Sequence, residues 1–300
     1  MKTTGVFEKH VVDIDVETLT EPIVIVPFGD VHFDSPNHAK NEFDRFCEES
    51  KLQTNAYYLG MGDFIDFPST SERRSILAGH FHDTSIENFE LMWERLSMEF
   101  VKKTEFMQGR LLGLMEGNHY GVLANGTTTT QMMIPHYNYK TENGKKVAVG
   151  GVMAKYLGVE CLIRLRLNYK SAKTAVDIYA HHGRGQGRTR SGSIAPVEQM
   201  ARNADANIYI MGHNHDLGTW PDRRLKLVST KAGLDVRDRP IRYVRSGSFL
   251  LSRVPGRPNY AVDRNYPPLA LGVAAVEIRL KYKYDGKGGR RFEFKLKGTA

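Results

Sequence analysis

Cysteine is almost missing from this chain: Cys47 and Cys161 are the only two in 300 residues. Two lone cysteines build neither a disulfide framework nor a cysteine-ligated structural zinc module, and a reducing compartment is the natural expectation. Long apolar runs are missing as well. No stretch approaches the roughly 20 residues needed to cross a bilayer, so no membrane partner is expected. The opening segment "MKTTGVFEKHVVDIDVETL" lacks an apolar centre between a basic head and a small-residue cleavage site, so no secretory signal is expected there. The expected location is the cytoplasm. There is no internal repeat, and the one low-complexity stretch, four threonines at 127–130, carries no reading of its own.

What the chain does contain is an ordinary globular mixture, 41% hydrophobic and 25% charged, ample for a sizeable core. Its charge is unevenly divided. Residues 1–150 carry 14 Lys and Arg against 22 Asp and Glu, and residues 151–300 carry 28 against 12. A second half at +16 suggests an anionic partner, with nucleic acid the commonest large one, or else simply solvated basic strands such as "RFEFKLKG".

Hydrophobic patterning supplies the organisation. "PIVIVPFGD" (22–30) and "AYYLGMGD" (56–63) read as buried strands halted by Gly-Asp, and "LLGLMEGNHYG" (111–121) as a strand entering a polar tip. Helical spacing of Phe43, Phe46 and Leu52 predicts one helix, and Ile86, Phe89, Trp93, Leu96 and Phe100 predict a second over 85–108. Alternation over 161–168 predicts a half-buried strand. "TAVDIYAHHG" and "NIYIMGHNH" read as strands ending in histidine, with a helix at "APVEQMARNA" between them, and further strands follow to the end around a turn at "YDGKGGRR". Strand and helix alternate early and strands crowd later, which indicates an α/β fold of layered sheets. One catalytic domain over 1–250 is expected, with a helical cap insertion at about 67–110 and a β-rich extension, 251–300, packed on the same domain.

Five of these strands end in residues that ligate metals: Asp30 and His32, Asp63 and Asp66, Asn118 and His119, His181 and His182, His213 and His215. Any one tip is explained by turn chemistry, which favours Gly, Asp and Asn anyway. Five together are not, because strand ends of layered α/β folds gather on one rim, where ligands bind. The order Asp-x-His, Gly-Asp-x-x-Asp, Gly-Asn-His, His, Gly-His-x-His, running from residue 29 to 215, resembles the calcineurin-like metallophosphoesterases. "RSGSFL" (245–250) extends the likeness weakly, and beyond about residue 251 there is none.

The resemblance implies that family's fold, a layered β-sandwich flanked by helices, and a dinuclear metal site. Asp30, His32 and His215 would hold one divalent ion; Asn118, His181 and His213 a second; Asp63 would bridge them. His181 is preferred to His182 because the family's ligand is the first residue after the strand. His119 resembles the family's acid beside the leaving group, and Asp66 would steady a ligating histidine. Two carboxylates, one amide and four imidazoles around two divalent ions leave about +2, suited to a phosphate ester and to lowering the pKa of a shared water from about 15.7 towards 7. The ligand types suit manganese foremost, with iron, zinc or nickel as alternatives, rather than calcium.

The expected activity is therefore metal-dependent hydrolysis of a phosphate ester, with a phosphodiester of nucleic acid or nucleotide type favoured. The alternatives are a phosphomonoesterase acting on a small metabolite and a non-catalytic scaffold of the same fold. Two departures stand out. Tyr120 follows Gly-Asn-His where the family commonly has a carboxylate, and "FIDF" replaces the Asp-Arg-Gly continuation of the Ser/Thr protein phosphatases. After the histidine pair, "GRGQGRTRSGS" offers Arg184, Arg188 and Arg190 as substrate contacts, since guanidinium forks grip phosphate oxygens. His80 and His82 are read as polar cap residues, not ligands. The sequence does not give the oligomeric state.

Overall fold

The computed structural model describes residues 7–184, 189–230, 233–254, 256, 260–263, 268–284 and 290–300. In chain order the first half contains β1 (Glu8–Asp15), β2 (Ile23–Phe28), α1 (Lys40–Leu52), β3 (Ala56–Gly60), α2 (Thr70–Leu77), α3 (Asp83–Thr104) and β4 (Leu111–Leu114). Then come α4 (Thr129–Asn138), the small hairpin β5 (Tyr139–Glu142) and β6 (Lys145–Ala148), and β7 (Lys155–Tyr156). The second half holds β8 (Glu160–Tyr169), β9 (Ala172–His181), α5 (Arg190–Gln199), β10 (Ile208–Met211), β11 (Leu217–Thr230) and β12 (Gly233–Ser248). It closes with β13 (Gly272–Val273), β14 (Ala275–Tyr284) and β15 (Arg290–Thr299).

The strands form two large sheets. One runs β15-β14-β2-β3-β4-β7, and the other β1-β8-β9-β10-β12-β11 with β13 joined to β12. Their facing sides interlock in one apolar layer, in which Ile25, Leu59, Leu112 and Val276 meet Ile163, Leu165, Ile178, Ile210 and Val244. The outer side of the first sheet is covered by α1, α3 and α4 through Phe43, Phe46, Phe100, Met133 and Tyr137. The outer side of the second takes α5 through Val197, against Tyr179, Tyr209 and Tyr243. The chain is thus an α/β layered sandwich of two sheets with helices on both outer faces. Continuous apolar runs form its doubly covered strands and clean alternation its half-covered ones, as burial requires.

The topology brings the tips together. Strands β2, β3 and β4 are mutually parallel, and so are β9, β10 and β12. Their carboxyl ends meet on one rim of the sandwich, where Asp30 takes backbone bonds to both sheets: its amide donates to Gly62 O at 3.0 Å and its carbonyl accepts from Phe249 N at 3.0 Å.

Three sequence expectations change in detail. The helix expected over 85–108 is α3, which starts at Asp83 because the imidazole of His82 caps it, accepting from Thr84 N. It is no detached cap: its second half lies in the core through Phe100 and Val101, and only α2 and the first half of α3, clustered on Ile76, Trp93 and Leu123, stand beside the rim. The helix expected at "APVEQMARNA" begins earlier, at Arg190, because the Thr189 side chain accepts from Gly192 N. Residues 251–300 include β14, which pairs with β2 inside the first sheet, so this segment completes the sandwich. Residues 285–289 of the turn expected at "YDGKGGRR" lie outside the described residues.

Candidate metal centre

Each tip leaves its strand abruptly. Among the described residues only seven that are not glycine have positive φ, and five of them are Asp30 (47°), His32 (46°), Asp63 (51°), His213 (68°) and His215 (59°). The other two, Asn143 and Lys170, sit between paired hairpin strands. Asp and His tolerate this left-handed region better than most residues, yet each instance carries a cost that surrounding structure must offset. Glycines allow the close packing that holds them. A Cβ on Gly117 would stand 2.0 Å from Asp63 Oδ1, and one on Gly62 would stand 2.6 Å from Gly117 N.

The two carboxylates are used alike. Asp63 Oδ1 accepts from Asn118 N and His119 N, both at 2.8 Å, and Asp30 Oδ2 accepts from His213 N at 2.9 Å. One oxygen of each thus pins a neighbouring tip by its backbone. The other faces the site: Asp30 Oδ1 is 3.5 Å from His215 Nε2, and Asp63 Oδ2 is 3.4 Å from His182 Nε2. Burial pushes both carboxyls up, but His215 beside Asp30 and His182 beside Asp63 hold them below the usual carboxylate range.

The histidines are oriented from behind. His32 Nδ1 meets Asp66 Oδ1 at 2.6 Å, which leaves Nε2 forward, buried and without a partner. His182 Nδ1 donates to Met61 O at 2.7 Å and turns Nε2 towards Asn118 Oδ1 at 3.1 Å and Asp63 Oδ2. His213 Nδ1 and Asp30 Oδ1 are also buried without partners. Backing bonds of this kind fix the tautomer of a metal-ligating histidine. Three donor groups result, each with its ligand atoms within 4.8 Å: Asp30, His32 and His215; Asp63, His182 and His213; and His32, Asp66 and His119.

These residues fit divalent metal ions. With its Nδ1 proton given to Met61, a neutral His182 would aim a lone pair at two oxygens that are themselves acceptors, which is repulsive. A positive charge must stand among them. A proton can supply it, since Asp63 raises His182 to about 9 against the opposing effect of burial, and a metal ion can supply it better. Asp30 Oδ1, His32 Nε2 and His213 Nδ1 are buried and make no hydrogen bond within the protein, which suits a ligated cation.

The structure separates the histidine pair differently from the sequence reading. His181, the expected ligand, ends β9 with its Nδ1 accepting from Gly183 N at 2.7 Å, and it belongs to none of the three groups. His182, buried, occupies the position instead. The reason is register: β9 pairs through His181 with Glu160 and Met211, so the inward-pointing tip is the next residue. Asp30, His32, Asp63, Asn118, His213 and His215 all gather at the rim. His119 stands there too, its Nδ1 against the Asp66 carbonyl and its ring centroid 4.9 Å from that of His32. Arg184 is exposed, Arg188 lies outside the described residues, and of Arg190 only the backbone at the start of α5 is described.

Three supporting residues escaped the sequence reading. Arg73 of α2 donates to Asn118 O and Tyr120 O, both at 3.1 Å, with its guanidinium 3.7 Å over the Tyr120 ring. Tyr120 thus anchors α2 beside the rim. Glu116, buried, accepts from Thr130 Oγ1 at 2.6 Å, Thr128 Oγ1 at 2.8 Å and Tyr156 OH at 2.9 Å, and burial pushes its carboxyl up. Of the four threonines passed over as low complexity, Thr128 and Thr130 are its donors, and Thr128 caps α4, which begins at Thr129. Buried Arg245 donates to Ser193 O through Nε (2.8 Å) and Nη2 (2.6 Å) and to Gly212 O at 3.2 Å, tying α5 to the glycine before His213. The "GNH" and "RSGS" neighbourhoods were visible in sequence, but nothing there tells a buried Arg or Glu from a solvated one.

No family model matches this chain, and no curated protein does. Among solved structures, Vps29 of Chaetomium thermophilum is 10% identical over 92% of this chain and 97% of its own, with a TM-score of 0.35. Wild-type Vps29 of Entamoeba histolytica, solved with zinc, is 12% identical over 91% and 98%, also with a TM-score of 0.35. Likenesses this distant carry no argument about the chain, whose architecture rests on its own sheet order and whose site rests on its own geometry.

Proposed function

We propose that this chain is a metal-dependent phosphoesterase that hydrolyses phosphodiesters at the rim. The observation that carries the reading is the pairing of buried, partnerless ligand atoms with carboxylates that each keep one oxygen for the site. Asp30, His32 and His215 would hold one divalent ion and Asn118, His182 and His213 the other, with Asp63 between them. Bound there, the ions would polarise the ester and lower the pKa of water, the two services that phosphate hydrolysis asks of metals.

The chain's own groups do the rest. His119 Nδ1 is engaged by the Asp66 carbonyl, so Nε2 is the atom that would pass a proton to the leaving oxygen. Asp66 does double duty, orienting His32 through its carboxylate and His119 through its carbonyl. Arg73 holds the 116–120 loop from α2 and Glu116 ties it to α4, and Arg184 stands exposed two residues past His182, where it can meet a phosphate oxygen.

Charge favours the diester. With Asp66 counted beside Asp30 and Asp63, three carboxylates face two divalent ions, leaving about +1 to receive the single negative charge of a diester. The basic second half lends a nucleic-acid substrate less support than its +16 suggests. Strand β12 runs towards the rim and β14 away from it, so the paired strands of the two long basic hairpins, β11–β12 and β14–β15, extend towards the far end of the sandwich. A nucleotide or another small diester is therefore as well served as a polymer.

A chromogenic diester and its monoester counterpart, assayed with manganese, nickel and zinc in turn, test the reading. The diester should turn over faster with at least one of the metals. A faster monoester would move the small-metabolite monoesterase ahead, and silence on both with metal fully loaded would favour the non-catalytic scaffold.

A further inference from the structure

Arg73 holds the 116–120 loop with only part of its guanidinium. Both N–H bonds of Nη1 are spent, one on Asn118 O and one on Tyr120 O, so the group is fixed to the backbone on either side of His119. Its central carbon lies 3.7 Å over the centre of the Tyr120 ring, which sets its orientation as well as its position. The helix beneath is equally firm: Ser69 and Glu72 close a capping box at the start of α2, and Arg73 N donates to Ser69 O at 2.9 Å.

The loop does not need a cation for this. Asn118 O already accepts from Thr70 Oγ1 at 3.2 Å, and Asp63 holds the amides of Asn118 and His119. A neutral donor would serve a carbonyl as well. What an arginine adds is charge, and here the charge is unmatched. Among the described residues Arg73 forms no ion pair, and the N–H bonds of Nε and Nη2 find no acceptor. Its charge reaches Glu116, but that buried carboxyl is bonded to the hydroxyls of Thr128, Thr130 and Tyr156 instead. Arg73 is half-buried and its free nitrogens are not among the buried orphans, so a group from solvent can reach them.

We propose that Arg73 is a substrate-binding residue, which receives a second phosphate carried by the alcohol that leaves. The inference rests on the phosphoesterase reading, in which His119 serves the leaving oxygen. A guanidinium fixed on both sides of His119 stands next to whatever that oxygen carries. Held by two bonds and a ring, it loses little freedom on binding, and its open Nε–Nη2 edge is one that grips two phosphate oxygens at once. The substrate class narrows accordingly. A diester with a plain alcohol would leave the charge unused, whereas a sugar-phosphorylated nucleotide or a nucleic-acid strand supplies the second phosphate.

Thymidine 3′,5′-bisphosphate and the two thymidine monophosphates, titrated calorimetrically into the intact manganese-loaded chain, test this without turnover. Wild type should bind the bisphosphate at least about tenfold more tightly than the better monophosphate, the scale of one charged hydrogen-bonded contact. Arg73→Gln should bring that preference below about threefold, and Arg73→Lys should keep part of it, with metal content measured on each. A residue that only held the loop would weaken mono- and bisphosphate alike and leave the preference standing, since both use the same ions. A short thymidine strand titrated alongside distinguishes the source: tighter binding than the bisphosphate indicates a strand, equal binding a small nucleotide. Equal affinity of wild type for mono- and bisphosphate, or a preference that survives Arg73→Gln, would overturn the role of Arg73 and leave the metal centre standing. No binding of any of these to the loaded chain would overturn that role and the phosphoesterase reading together.

Discussion

Replacing His119 by alanine is expected to lower turnover about 10²–10⁴-fold while leaving metal content unchanged, the signature of a lost proton donor. The geometry separates it from the ligands around it. Its backbone amide is held by Asp63 Oδ1 and its Nδ1 by the Asp66 carbonyl, so the ring is fixed without help from a metal. The loss should shrink for esters with nitrophenyl leaving groups, which depart without a proton, and stay large for alkyl esters. An equal loss on both would remove the acid role. A fall in metal content alongside turnover would instead make His119 a ligand, through the third donor group it forms with His32 and Asp66.

The second large effect distinguishes the adjacent histidines. His182→Ala should strip metal from the site and turnover with it, by more than the 10–100-fold that loss of a ligand's backing bond costs. His181→Ala should leave both near wild type, because among the described residues that ring bonds only Gly183 N. Metal content and kcat measured on the two variants side by side give the answer. The reverse ranking would mean that His181 is the ligand after all, as the resemblance implied.

That histidine pair shows where the sequence stops being legible. That Asp30, His32, Asp63, Asn118, His213 and His215 meet on one rim could be read directly, because each follows an apolar run whose direction is fixed by burial and whose end is marked by glycine. The layered α/β architecture could be read for the same reason. Choosing between His181 and His182 requires the register of β9 against β8 and β10, a long-range property that a one-residue slip inverts. Glu116, Arg73 and Arg245 were out of reach for a related reason. Their meaning lies in partners 12 to 52 residues away, Thr128, Asn118 and Ser193, and a charged residue looks the same in sequence whether buried and bonded or solvated. The basic second half illustrates the opposite case: its charge is plain in the sequence, but only the strand directions show that the hairpins β11–β12 and β14–β15, which carry much of it, run away from the site.

The central claim is a pair of ions sharing Asp63, and metal stoichiometry tests it most directly. The chain is stripped by gentle chelation, refilled with manganese or zinc, freed of excess and analysed for bound metal, in parallel with Asp63→Asn. The amide keeps an oxygen to accept from Asn118 N and His119 N, so the loop stays pinned while the shared negative charge is lost. Two equivalents per chain in the wild type, and no more than one in Asp63→Asn, is the predicted result. One equivalent in the wild type, unchanged by Asp63→Asn, would contradict the dinuclear site and the phosphoesterase reading built on it.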